Sequence, residues 1–495
     1  MLSQRSYGPV WARPQRMVCL AHKFLLYFSS QKMGTIYFLC SPRRFHEMTK
    51  FLSFTLCIFF LLSVAPALLH ASTIFPYNYI IEELDNGLKV VSIPLQNPQI
   101  ISYYTIVRSG SRNEIEPGKS GFAHFFEHMM FKGTKNVPRE AYHDFLTKLG
   151  AGTNGYTADD YTCYFVVFAG RENLEEVIKT EADRFINLYY DEEMLKTEAS
   201  VIEGEYYSSV SNPGRRLSEL LRHTAFENHS YKHSVLGYLE DILDMPNQFE
   251  YSQLYRKRFY APDNSILLVA GDFEHEKLME YVEKYYGNWE PSSYPLITPK
   301  EPAQTEAKRA HYDWSTKTLP RLAIGFHGPA YSDEKIDKPA LDLMAEIAFS
   351  RSSPLYQKLV IEEQKCLTLN AYFGDTRDPY LLIFNSIVKK DEDLPSVEEE
   401  IFKELERLKE EPVDERLLAD VKSNIKYSFA LRLGTTDGIA GSLADYINLA
   451  IDPGTVNKLF NLYEMVTPQD IQNMAKKYFL KTNSTVVTLT GGKAK

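Results

Sequence analysis

The chain has 495 residues, with 44% hydrophobic and 24% charged side chains, 25 Gly and 25 Pro. These globular values exclude a collagen-like, disordered or polytopic membrane protein and leave room for about two to four domains. The net charge of −10 argues against a nucleic-acid partner, whose phosphates call for basic patches.

The N-terminus differs from the rest. Residues 1–71 hold eight Lys/Arg, the single acid Glu47, and three of the five cysteines, Cys19, Cys40 and Cys57. From Met48 the text reads as a secretory signal. Lys50 is the positive region, Phe51 to Val64 the apolar region, and Ala65-Pro66-Ala67 and Leu69-His70-Ala71 are small-residue cleavage candidates. A membrane anchor is the competing reading, because the apolar run is nearly long enough to span. The Pro and small residues that end the run favour cleavage. Residues 48–71 are therefore expected to be a signal peptide. Residues 1–47 are a leader, or precede the true start at Met48. Without 1–71 the chain is 424 residues at net charge −17, with only Cys163 and Cys366 left. A secreted protein so poor in cysteine is held by its core, and these two thiols are expected to stay unpaired.

Along the remaining chain, Tyr79 to Pro94 alternates apolar and polar residues around Asp85-Asn86-Gly87, a hairpin signal. Ile100 to Val107 reads as a strand, Lys119 to Phe131 as a helix, and Ala141 to Leu149 as a helix stopped by Gly150. Tyr161 to Phe168 is an aromatic strand. Glu172 to Tyr190 carries apolar residues near helical spacing, Asp191 to Val210 is a further helix ending before Pro213, and Ser265 to Gly271 is a strand. Pro291, Pro295, Pro299 and Pro302 then mark a linker. Beyond it the grammar restarts. Strands are expected at Leu322 to Phe326, Tyr380 to Val388 and Thr485 to Leu489. Helices are expected at Lys338 to Phe349, Val397 to Leu408 and Glu415 to Leu431. Gly434 to Gly441 reads as a helix-breaking loop; it lacks the Gly-Lys-Ser/Thr ending of a phosphate loop. The similar order of elements in the two halves points to an internal duplication.

The sharpest feature is His124-Phe125-Phe126-Glu127-His128. On a helix, i and i+4 project from one face, and two imidazoles so placed can share one Zn²⁺. Glu127 falls on the same side. This is the H-x-x-E-H order, the inverse of the H-E-x-x-H zincin motif, and composition alone would produce it on the order of 0.02 times in such a chain. A polar helix face is the bland alternative. The flanking Phe125, Phe126, Met129, Met130 and Phe131 argue for burial, and buried His and Glu need partners that a metal supplies. A third ligand must come from elsewhere. The Asp191 to Val210 helix offers Glu192, Glu193, Glu198, Glu203 and Glu205. Glu198 and Glu205, seven apart, share a face, but helical geometry does not choose among these acids.

The stretch Gly121 to Thr134 containing this motif, with Leu149-Gly-Ala-Gly-Thr-Asn-Gly-Tyr-Thr157 and Glu198-Ala-Ser-Val-Ile-Glu-Gly-Glu205, resembles the pitrilysin/insulinase family of zinc metallopeptidases. The likeness is greatest to its short members and to mitochondrial processing peptidase subunits. Further echoes are His229 to Gly237, Tyr260 to Asn264 and Gly271-Asp-Phe273, so the resemblance runs over about 78–490. It implies an α+β fold of two related domains, each a mainly antiparallel sheet with helices packed on it. These are 78–290 with the zinc motif, a linker at 291–308, and 309–492 without the motif. It implies His124, His128 and Glu205 as ligands of one Zn²⁺ per chain. The family places its ligand glutamate 77 residues after the second histidine, as Glu205 lies here. It also implies Glu127 as general base and Glu198 as the group orienting a ligand histidine.

The expected activity is hydrolysis of peptides or unfolded polypeptides, with the substrate paired to an edge strand near Thr153 to Tyr156. In many members an Arg and a Tyr seven residues later serve the substrate from the second domain. Here Val360 and Leu367 stand at those places, leaving Arg351, Tyr356 or another subunit as substitutes. A homodimer or a heterodimer with a related subunit is expected. The alternatives are the catalytic half of a heterodimer and a non-enzymatic zinc-binding scaffold. The signal implies a bacterial periplasm, or else the extracellular space, without stable membrane insertion after cleavage. A membrane-anchored or organellar location is the alternative.

Overall fold

The Asp85-Asn86-Gly87 turn closes the first hairpin: Gly87 takes φ +89°, and the Leu84 amide donates to the Leu88 carbonyl at 2.9 Å. In the computed structural model, which describes residues 73–492 apart from 97, 98 and 296, this hairpin edges the first of two sheets. The leader at 1–47 and signal at 48–71 lie outside the described residues. Among the described residues, no helix is long and apolar enough to cross a membrane.

The first sheet holds β1 (Ile80–Glu83), β2 (Lys89–Pro94), β3 (Ile100–Val107), β4 (Gly152–Thr157), β5 (Thr162–Ala169) and β6 (Ser265–Gly271). Their spatial order is β1-β2-β6-β3-β5-β4. The second holds β7 (Lys308–Trp314), β8 (Arg321–His327), β9 (Cys366–Phe373), β10 (Leu381–Val388) and β11 (Ser484–Gly491), in the order β7-β11-β8-β10-β9. With β1 set aside, the two orders superimpose strand for strand. Each sheet has one parallel pair, β2 with β6 and β7 with β11, and its other pairs are antiparallel. The duplication expected from element order is thus present as shared topology, on an α+β fold.

The halves exchange helices. The Thr436–Ala450 helix of the second half packs Ile439, Leu443 and Ile447 into a core shared with Val91, Tyr104, Ile106 and Leu268 of the first sheet. In return the Pro213–Ala225 helix packs Leu217, Leu221 and Ala225 against Ala323, Leu381 and Val487 of the second sheet. Covered on both faces, β3 and β6 are buried almost throughout and read as continuous apolar-aromatic runs, whereas β4 at the sheet edge alternates.

Two expectations are corrected. The helix expected from Lys119 begins at Phe122, because Gly121 at φ +91° turns the chain out of helical geometry. The loop expected over Gly434 to Gly441 is mostly helix, starting at Thr436 with Thr435 as its cap. Gly438 serves close approach: a Cβ there would lie 2.0 Å from the Arg432 carbonyl oxygen, whereas one on Gly441 would meet only the Tyr104 hydroxyl at an ordinary 3.4 Å. Cys163 and Cys366 are free and buried.

Candidate metal centre

The Phe122–Met129 helix has two faces of different chemistry. Phe122, Ala123, Phe125, Phe126 and Met129 are fully buried, with Phe126 stacked on Tyr255 at 5.3 Å between ring centroids. This apolar side fixes the helix on the first sheet. His124 and His128, one turn apart, lie on the other side with ring centroids 4.7 Å apart, and face the Glu192–Val210 helix.

Glu205 stands between them. Its Oε2 is 3.5 Å from His124 Nε2 and 3.5 Å from His128 Nε2, too long for hydrogen bonds. The spacing instead suits a shared cation, since tetrahedral donors at about 2.0–2.1 Å from Zn²⁺ sit about 3.4 Å from one another. All three ligand atoms fall within 4.8 Å of each other. The two-nitrogen, one-carboxylate set is of the kind that would hold a zinc ion with three protein ligands, and Glu205, 46% exposed at its side chain, lies on the accessible side. The residues present fit Zn²⁺.

Neighbouring groups tune the donors. His128 Nδ1 donates to Glu198 Oε1 at 2.7 Å, which leaves Nε2 with its lone pair toward Glu205. Lys132 forms an ion pair with the other oxygen of Glu198. Burial would lift the Glu198 carboxyl, but the His128 and Lys132 contacts outweigh it and hold the group below its usual range. Burial would likewise lower His128, and the Glu198 hydrogen bond and Glu205 charge raise it overall. His124 is pushed down to about 4, by burial first and the His128 charge second, so it is neutral at pH 7 and available as a ligand. Glu127 Oε2 accepts a 2.6 Å hydrogen bond from Thr157 Oγ1. Burial raises the Glu127 carboxyl, and Thr157 only partly offsets that.

Thr157 ends β4, the edge strand whose inner side pairs with β5 and whose outer side has no strand partner among the described residues. The turn after it, Ala158 to Tyr161, lines a cavity of about 700 Å³ between the halves with Tyr372, Asp375 and Asp445. Of the second-half positions, Val360 lies in a π-helical turn, Gln357–Glu362, and packs with Tyr356 against the core, while Leu367 on β9 is 47% exposed. The five residues singled out in the sequence therefore converge. Thr157 and Lys132 were missed: nothing in pattern or spacing links residue 157 to residue 127 across a strand, and Lys132 reads as an ordinary surface cation.

The fold and the relatives it matches define a chain of peptidase type. Two family descriptions match it, Insulinase (Peptidase family M16) over residues 89–238 and Peptidase M16 inactive domain over 250–425. The chain belongs to the insulinase family of peptidases, M16. It is similar to the zinc protease PqqE of Helicobacter pylori, with 28% identity over 435 residues, 87% of this chain and 96% of that protein. A probable mitochondrial-processing peptidase subunit beta of Arabidopsis thaliana is 24% identical over 412 residues, 80% of this chain and 75% of that one. The crystal structure of a protease from Helicobacter pylori matches with a TM-score of 0.78 at 27% identity, covering 84% of this chain and 99% of that one.

Proposed function

We propose that the protein is a zinc-dependent endopeptidase acting on peptides or unfolded polypeptides. The observation that carries this reading is the pair of equal 3.5 Å separations from Glu205 to His124 and His128, beside Glu127. Bound Zn²⁺ would act as a Lewis acid and lower the pKa of water toward about 7. His124, His128 and Glu205 would hold it, and Glu198 would keep His128 in the tautomer that presents Nε2. Glu127 would take the proton of the attacking water and return it to the leaving amine. Its elevated pKa suits a group that must both accept and donate. The free side of β4 would pair with an extended substrate backbone, giving affinity with little side-chain choice. The test is direct. The purified chain should hold one zinc, cleave unstructured peptides, lose cleavage to a chelator and regain it with zinc. A chain that cleaves equally well after full metal removal would overturn the reading.

The absence of Arg and Tyr at Val360 and Leu367 favours a second reading, a catalytic half completed by a related subunit, and the similarity to a protein named as a subunit agrees with it. Activity that appears only with a co-purified partner would separate this from a homodimer. Secretion into a periplasm belongs to the same proposal and rests on the sequence of 48–71.

A further inference from the structure

The helix that carries the histidines starts without a cap of its own. The leading N–H groups of a helix have no acceptor within it, and here that end is buried, with Phe122 and Ala123 at 0% exposure. The cap position is Gly121, which has no side chain to offer. A Ser, Asp or Asn is the usual solution, but a Cβ at Gly121 would lie 2.8 Å from the Leu236 carbonyl oxygen at φ +91°. A local cap is therefore excluded by packing.

Glu114 supplies the missing acceptors from outside the helix. Its Oε2 accepts from the Gly121 amide at 2.8 Å and its Oε1 from the Ala123 amide at 2.6 Å. The side chain is itself buried, with His233 Nδ1 at 3.8 Å from Oε2. Burial lifts the carboxyl to about 8, yet each oxygen keeps a lone pair for its amide in either protonation state. The base of Glu114 is firmly tied. The preceding turn, Ser111–Asn113, is fastened by Ser111 Oγ to Asp159 Oδ1 at 2.9 Å and by the Arg112 amide to the Asp159 carbonyl at 2.8 Å. Arg112 also reaches Asp378 of the second half at 2.5 Å.

We propose that Glu114 is a positioning residue of the metal centre: by gripping the Gly121 and Ala123 amides it fixes the start and tilt of the helix that carries His124, Glu127 and His128. Ala123 precedes His124, so a displacement of its amide moves the first ligand directly. A misplacement of about 1 Å is enough to cost on the order of 100-fold in rate. The inference rests on the zinc-peptidase reading of this site.

The test compares Glu114→Gln and Glu114→Ala with the unaltered chain. Zinc affinity is measured by competition with a chelating dye, kcat and KM at saturating zinc, and melting of the metal-free protein. Glu114→Ala is expected to weaken zinc binding about 10- to 100-fold, by analogy with groups that orient metal ligands. Its kcat should stay low when zinc is saturating, with KM near the original. Glu114→Gln keeps one acceptor oxygen and should fall between. If the alanine variant does not fold, the near-isosteric glutamine variant decides. A folded variant with lowered melting but unchanged zinc affinity and kcat overturns the proposal, because that is the signature of structure alone. If the unaltered chain itself neither binds zinc nor cleaves, the peptidase reading fails and takes this inference with it. If it does both and the variants match it, only the role of Glu114 fails.

Discussion

Thr157 Oγ1 donates to Glu127 Oε2 at 2.6 Å, joining the end of the edge strand to the glutamate beside the metal donors. One contact thus ties the surface proposed to bind substrate to the group proposed to move the proton. Thr157→Val keeps the shape and removes the donor. A lost hydrogen bond of about 0.5–1.5 kcal/mol corresponds to a fall in kcat of roughly two- to tenfold, with zinc content unchanged. Steady-state kinetics with metal analysis checks this; an unchanged kcat would mean that the contact does not steer Glu127.

Glu198 faces His128 at 2.7 Å and pairs with Lys132. Glu198→Gln retains an acceptor for His128 Nδ1 but removes the charge that makes the imidazole a better donor. Zinc affinity should fall about 10- to 100-fold while the fold persists. Competition titration gives the number, and equal affinity would contradict the role assigned to Glu198.

Asp378 joins the halves through Arg112 at 2.5 Å and His229 Nε2 at 3.1 Å. Burial would raise its carboxyl, but these two partners hold it down at about 2. Because the folded value lies below the unfolded one, near 3.9, the stabilisation is complete above about pH 4. It is lost as pH falls from there through about 2. Asp378→Asn should therefore lower stability by about 1–2 kcal/mol at pH 7. The gap from the unaltered chain should close as the pH approaches 2. Denaturant unfolding across pH reads this out; a gap independent of pH would show that the charge is not what matters.

The sequence made His124, Glu127 and His128 legible because a helix turns one four-residue spacing into one face. Glu205 was not separable from Glu192, Glu193, Glu198 and Glu203 on periodicity alone; the resemblance chose it, and the distances to both histidines now distinguish it. The duplicated sheets were foreshadowed by element order, but strand pairing such as β2 with β6, residues far apart in the chain, is a tertiary outcome. Gly438 misled because a glycine can mark a close backbone approach instead of a loop, and the Arg432 carbonyl it admits is invisible in the local text. Thr157, Glu114 and Asp378 stayed hidden for the same reason: each acts across elements on a partner that no local pattern names.

The central claim is that Glu127 moves the proton at a zinc held by His124, His128 and Glu205. Glu127→Gln preserves size and leaves the three donors untouched. Measured together, zinc content should remain one per chain while peptide cleavage falls by about 100-fold or more, the contribution typical of a general base. A Glu127→Gln protein that keeps its zinc and cleaves the same peptides at the original rate would contradict the account.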